Sequence, residues 1–95
     1  MNFENEKAHK DQYYSVGYCP KLDKYVLSVV VPWAVFYNQY YEITKKEYDS
    51  FGSESLDALV MELRRTMTSS ERFLFSDLMI DNSPAQLALK KQLEG

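Results

Sequence analysis

The residues able to do chemistry are few and scattered. His9 is the single imidazole and Cys19 the single thiol. Nucleophilic catalysis needs a nucleophile, a base and an orienting group within hydrogen-bond reach of one another. Here the imidazole falls in a charged N-terminal stretch, where it reads as a solvated side chain. The thiol is followed at once by Pro20, in a loop. With no Cys/His cluster, a zinc site is not expected. The three glycines stand at 17, 52 and 95, too far apart for a loop that cradles phosphate. Paired carboxylates remain. Asp49, Glu54, Asp57 and Glu62 are numerous enough for acid–base work, but that chemistry needs them desolvated and pushed apart in pKa. Their pattern turns them outward instead, so the expectation is no catalytic residue, no metal and no cofactor.

The same carboxylates suit a different task. From Glu47 to Leu63 the chain carries Glu47, Asp49, Glu54, Asp57 and Glu62 and no Lys or Arg. If Leu56, Leu59, Val60 and Leu63 face inward, Glu54, Asp57 and Glu62 face outward with Met61 among them. Such a run is ordinarily a solvated helix face. Its functional reading is an acidic patch that steers and docks a basic partner. Lys45 and Lys46 precede it in a helical first turn, where the helix dipole mildly disfavours cations. A second candidate contact is the aromatic group Trp33, Phe36, Tyr37, Tyr40 and Tyr41 around one turn. Rings in such a cluster usually pack, but several exposed together are rigid anchors at a protein interface. Alternation along a strand implies that Tyr40 and Tyr41 are not both core. The partner-binding candidates are therefore Glu47, Asp49, Glu54, Asp57, Met61 and Glu62, with Trp33, Tyr37 and Tyr40.

The balance of 14 acidic against 11 basic side chains, net −3, disfavours direct binding to nucleic acid, which needs a basic footprint. A lone cysteine cannot close an internal disulfide, so a reducing compartment is expected. The first residues lack an apolar signal-peptide core, and the longest apolar run, Val29 to Tyr37, is too short to span a bilayer. A cytoplasmic location follows as the expectation.

The elements that must position these residues centre on Tyr25–Ile43. Tyr25, Leu27, Val29, Val31 and Trp33 share one face of an extended chain, and Val26, Ser28 and Val30 the other. Both faces are largely apolar, which predicts a central strand covered on both sides. A strand over Gln12–Tyr18 precedes it through a hairpin at Cys19–Asp23. Residues 1–11 read as a flexible tail, leaving 12–95 as a single domain. Pro32 must end the central strand, bulge or lie unpaired. A turn is predicted across Phe36–Gln39, with Asn38 left-handed, before a third strand at Tyr40–Ile43.

Thr44 then caps a short helix, with Glu47 at the capping-box position and Ile43 and Tyr48 at hydrophobic-staple spacing. Gly52 marks its end. Ser53 or Ser55 caps a second helix to about Thr66, with Leu56, Leu59, Val60, Leu63 and Met67 on one stripe. Arg64 and Arg65 fall in its last turn, as cations that favour the carbonyl end. Arg72–Ser76 reads as a fourth strand, or Phe73–Ile80 as a buried helical turn, the short strand being preferred. Ser83-Pro84-Ala85-Gln86 starts a final helix on whose one face lie Ala85, Leu89 and Leu93. The class is α+β: an antiparallel three- to four-stranded meander with two to four helices packed against it.

The segment Tyr40-Tyr-Glu-Ile-Thr-Lys-Lys-Glu-Tyr-Asp-Ser-Phe51 resembles small immunity proteins of bacterial contact-dependent growth inhibition and related polymorphic-toxin systems. Several of these carry Tyr-Tyr-x-Ile-Thr/Ser followed by a short helix with Glu-Tyr. The Tyr-Ser-Val-Gly-Tyr strand and the Val-x-x-Trp turn are similar too, so the likeness covers residues 13–51, with vaguer support at Arg72–Ser83. It implies inhibition by binding: the protein sits on a toxin's effector domain and blocks its active site or substrate path. Many such toxins are nucleases with basic phosphate-binding surfaces. No binding residue is carried over by position. The residues alone also admit a self-associating structural or adaptor module, a homodimer that buries the aromatic surface about a two-fold axis.

Overall fold

The computed structural model describes residues 3–32 and 36–94. Five strands run β1 (Glu4–His9), β2 (Tyr14–Cys19), β3 (Lys24–Pro32), β4 (Phe36–Ile43) and β5 (Phe73–Ser76). They form one antiparallel sheet in chain order, β1 to β5. Between β4 and β5 lie helices α1 (Lys45–Asp49) and α2 (Glu54–Thr66), and α3 (Pro84–Glu94) follows β5. The α+β meander is thus present, with one strand more than the sequence pattern suggests. β3 occupies the middle, as its two apolar faces require.

Each face of the sheet has its own core. On the first, Leu56, Val60 and Leu63 of α2 pack on Tyr14, Val16, Leu27, Val29, Tyr41 and Ile43. On the second, Leu93 and the half-buried Leu89 of α3 meet Cys19, Val26, Tyr40 and Phe75. Tyr40 and Tyr41 are therefore both buried, at 7 % and 0 % exposure, on opposite sides of β4. The alternation argument assumes one wet face; here both are covered.

The N-terminal segment read as a loose tail carries β1. Its polar sequence, Glu-Asn-Glu-Lys-Ala-His, belongs to an edge strand held by backbone pairing to β2 and interrupted by an irregularity between Glu4 and Lys7. His9 is half-buried, its ring 5.2 Å from that of Tyr14, rather than solvated in a tail. Before the strand, Phe3 crosses the second face to reach Tyr40, with ring centroids 5.9 Å apart. Gly17 lies beneath this crossing, where a β-carbon would stand 2.9 Å from Phe3 Cβ.

The turn expected across Phe36–Gln39 lies elsewhere. β4 is already paired at Phe36, opposite Pro32, and Asn38 sits in the ladder opposite Val30. Residues 33–35, between the two strands, lie outside the described residues, and the candidate contact Trp33 with them. Pro32 ends β3, consistent with its missing donor. Cys19, placed in a loop by the sequence, is the buried last residue of β2.

The strand-to-helix junction follows its local signals closely. Thr44 Oγ1 accepts from Glu47 N at 3.1 Å, and Glu47 Oε1 accepts from Thr44 N at 2.8 Å. Ile43 and Tyr48 share the first core, and Gly52 adopts φ +86° after the helix ends. Ser53 rather than Ser55 caps α2, its hydroxyl accepting from Leu56 N at 3.3 Å. Ser83 and Gln86 form the reciprocal pair that starts α3, although Ala85 at its head is exposed.

Candidate functional site

α2 stands on the first face with its inner stripe locked into the core, which fixes what its other side shows. Glu54, Met61 and Glu62 are exposed, and Met61 keeps 67 % of its surface open. Arg65, also exposed, ends the acidic ridge one turn beyond Met61.

The remaining acidic candidates are engaged inside the molecule. Asp57 accepts a hydrogen bond from Tyr14 Oη at 2.7 Å. Burial first, and then the Asp57 carboxylate, push the Tyr14 phenol well above its ordinary value. Asp49 pairs with Lys45 at 2.9 Å, one turn apart, so the first-turn lysine neutralises part of the charge run. Glu47 is the most committed. Besides its capping bond it meets the Arg72 guanidinium in a fork, Nη1 to Oε1 at 2.7 Å and Nη2 to Oε2 at 2.9 Å. Arg72 Nη1 also donates to Glu42 O at 3.1 Å, tying the start of β5 to the end of β4.

Burial alone would raise the Glu47 carboxyl, but the Arg72 fork and the Thr44 N–H together outweigh it and hold the group below its ordinary value. A depressed folded-state pKa gives stability that is present above the unfolded value near 4.5 and is lost as pH falls through the lower folded value. Acid titration of unfolding should therefore show stability declining below about pH 4.5. In Glu47→Gln that part of the slope should be missing. An unchanged slope would detach Glu47 from the acid sensitivity.

The aromatic candidates divide in the same way. Tyr40 is buried and donates to Asp77 Oδ2 at 3.1 Å, so it faces inward. Tyr37 is half-buried, and its phenol is raised by burial and by Asp81. Asp81 also takes Gln39 Nε2 at 3.2 Å and Ser76 Oγ at 2.9 Å, while Tyr41 Oη donates to Gln39 Oε1 at 2.7 Å. This buried network is why polar Gln39 belongs to a strand and not to a turn. Phe36, by contrast, is 71 % exposed.

Phe36 has a neighbour the sequence does not single out. Tyr13, with φ +56° and 61 % exposure, stands across a hollow of about 180 Å³ that Val30, Pro32 and Arg64 also line. Arg64 holds this corner. Nη1 donates to Val30 O at 2.7 Å, and Nη2 to Gln12 O at 2.7 Å and to Tyr13 O at 3.1 Å. β3 outruns β2 here, and the guanidinium supplies the donors a longer β2 would have given. Burial draws its pKa below the ordinary value. It stands in the last turn of α2, as its position in the sequence predicts, and it is also a staple between sheet and helix. Nothing local announces this, since its acceptors lie 34 to 52 residues earlier.

Among the described residues, no group of three or more His, Cys, Asp and Glu side chains converges in a metal-binding arrangement. Nor, among them, is any helix long and apolar enough to cross a membrane. Comparison of the chain with protein-family models, curated proteins and solved structures finds no significant match.

Proposed function

We propose that this chain acts by occupying the surface of a protein partner, as the immunity proteins it resembles over residues 13–51 do with their toxins. The observation that carries the reading is the outer side of α2, which leaves Glu54, Met61 and Glu62 exposed on a helix whose inner side is buried. Charges on such a mount are presented with little ordering cost, and an apolar centre within a charged rim is the usual anatomy of a protein contact. Its sign suits the basic phosphate-binding surface of a nuclease domain. Binding there would shield that domain from its substrate without any turnover by this chain.

The test is co-expression with the product of the gene immediately upstream. A stoichiometric complex and relief of toxicity are expected. Toxicity unabated, with no complex, removes the toxin reading. Within a complex, Glu54→Lys combined with Glu62→Lys should slow association about tenfold or more at low salt and flatten its salt dependence. Asp57 is left intact in that variant because its loss would also disturb Tyr14. An association rate and salt slope equal to wild type would move the contact off α2.

A further inference from the structure

The corner held by Arg64 has more built into it than a staple needs. The hollow between Tyr13 and Phe36, about 180 Å³, has Val30 and Pro32 as its apolar wall. An apolar cavity of roughly 150 Å³ takes a benzene ring. Both aromatic side chains stay largely open to solvent, so the fold itself gains little from their burial. Tyr13 is moreover held at a positive φ, where an aromatic residue is strained and glycine or asparagine is not. A second such residue, Met67 at φ 49° and ψ −126°, closes α2 just beyond Arg64. Strained backbone of this kind gathers at ligand clamps and active sites.

The charge at this corner is one-sided. Arg64 Nη2 uses both hydrogens, on Gln12 O and Tyr13 O, and Nη1 uses one on Val30 O. Nε and the other Nη1 hydrogen have no acceptor among the described residues, and no carboxylate there pairs with this guanidinium. Arg72, by contrast, has Glu47. A wider depression of about 330 Å³ shares Tyr13 and Val30 with the hollow and is bordered by Lys10, Ser15, Ser28 and Asn38. Ser15 stands opposite Ser28, and Asn38 opposite Val30, so these side chains form a continuous floor on one face of β2, β3 and β4. α3 is seated on Cys19, Val26 and Phe75, and the floor stays half-exposed beside it. Among the described residues around the two depressions are Arg64 and Lys10, and no Asp or Glu. In a chain of net charge −3 this is a local reversal of sign.

We propose that the hollow between Tyr13 and Phe36 binds a small aromatic carboxylate, its ring packed against both side chains and Val30 and its carboxylate on the free N–H groups of Arg64. Ligand and guanidinium then neutralise one another in a partly desolvated place, where a charge-assisted hydrogen bond is strong. Polar substituents on the ring lie over Ser15 and Ser28, towards Lys10. The site shares no residue with the outer side of α2, so it stands or falls apart from the reading as a partner-binding protein.

The probe is benzoate, titrated into the isotope-labelled chain and followed by NMR. Saturable shifts are expected at the amides of Tyr13 and Val30 and at Arg64 Nε–H, half-complete at about 1 mM. Benzylamine, the same ring with the opposite charge, should not saturate, and neither should acetate, the charge without the ring. Arg64 is left intact because it also holds the fold. Phe36→Leu keeps apolar bulk and removes one aromatic face, and should weaken benzoate about fivefold. Phe36→Tyr should bind as wild type does. Tyr13→Leu carries the same test at the other ring, should Phe36→Leu fail to fold. The site is overturned by absence of saturation with benzoate, by equal binding of benzylamine or acetate, or by unchanged half-saturation in a folded Leu variant. Shifts centred away from Tyr13, Val30 and Arg64 overturn it as well.

Discussion

Replacing Arg64 with methionine is expected to lower the free energy of unfolding by about 3 kcal/mol. Methionine keeps most of the apolar stem, so the change isolates the guanidinium. Its loss leaves the carbonyls of Gln12 and Val30 without the partner that Arg64 gives them, and Tyr13 O with only its bond from Val30 N. It also frees Tyr13 from a left-handed conformation that a bulky side chain rarely holds without support. Lysine should recover less than half of the deficit, because a compact ammonium cannot span three acceptors as a planar fork does. Urea unfolding at constant m-value checks both substitutions. A Met variant within about 0.5 kcal/mol of wild type would show that water serves those carbonyls equally well.

Phe75→Ala is expected to cost about 3–5 kcal/mol. Phe75 is 1 % exposed, its ring centroid is 4.8 Å from that of Tyr40, and it belongs to the cluster that seats Leu93. That second core is the smaller of the two, so less material surrounds the cavity to collapse into it. A chain of this length has only about 5–14 kcal/mol in hand, which makes the loss a large share of the whole. The damage should also be directional. α3 is attached through Leu89 and Leu93 and through Lys21 Nζ to the carbonyls of Gln92 and Leu93, at 3.5 and 3.4 Å. Amide protection should therefore fall further in α3 than in α2. Uniform loss across both helices would mean that the two faces unfold as one unit.

What the sequence discloses here depends on the range over which each residue acts. Thr44, Glu47 and Ser53 satisfy backbone groups within a few positions and Gly52 takes the left-handed turn, so spacing locates α1 and narrows the start of α2 to Ser53 or Ser55. The stripe Leu56, Val60 and Leu63 is equally readable, because the period of a helix is a local property. β1 is not, since an edge strand built from Glu, Asn and Lys owes its order to pairing with β2 and leaves no apolar alternation to detect. Gln39 looks like a turn residue until Tyr41, Ser76 and Asp81 are seen around it. Two of those partners lie 37 and 42 positions away, beyond any window. The candidate surface shows the same division. Glu54, Met61 and Glu62 follow from helical periodicity and are exposed as expected. Glu47, Asp57 and Tyr40 bear side chains of the right type, yet their partners Arg72, Tyr14 and Asp77 are distant in the chain and draw them inward. Tyr13 and Arg64 escape notice for that reason too, because the corner they form exists only once β3 has outrun β2.

The chain-order arrangement of the five strands bears on how the molecule is made. Each strand lies beside the one synthesised just before it, so pairing can proceed while the polypeptide is still leaving the ribosome. The loops to be closed between the first four strands are short and entropically cheap. Only β5 must wait, because α1 and α2 intervene before it can reach β4. Until then the outer flank of β4 is bare, and the nascent protein passes through a stage in which Tyr40 and Tyr41 have yet to meet Phe75 and Phe73. A chain in which α2 has emerged and β5 has not is therefore more inclined to stick than the finished molecule.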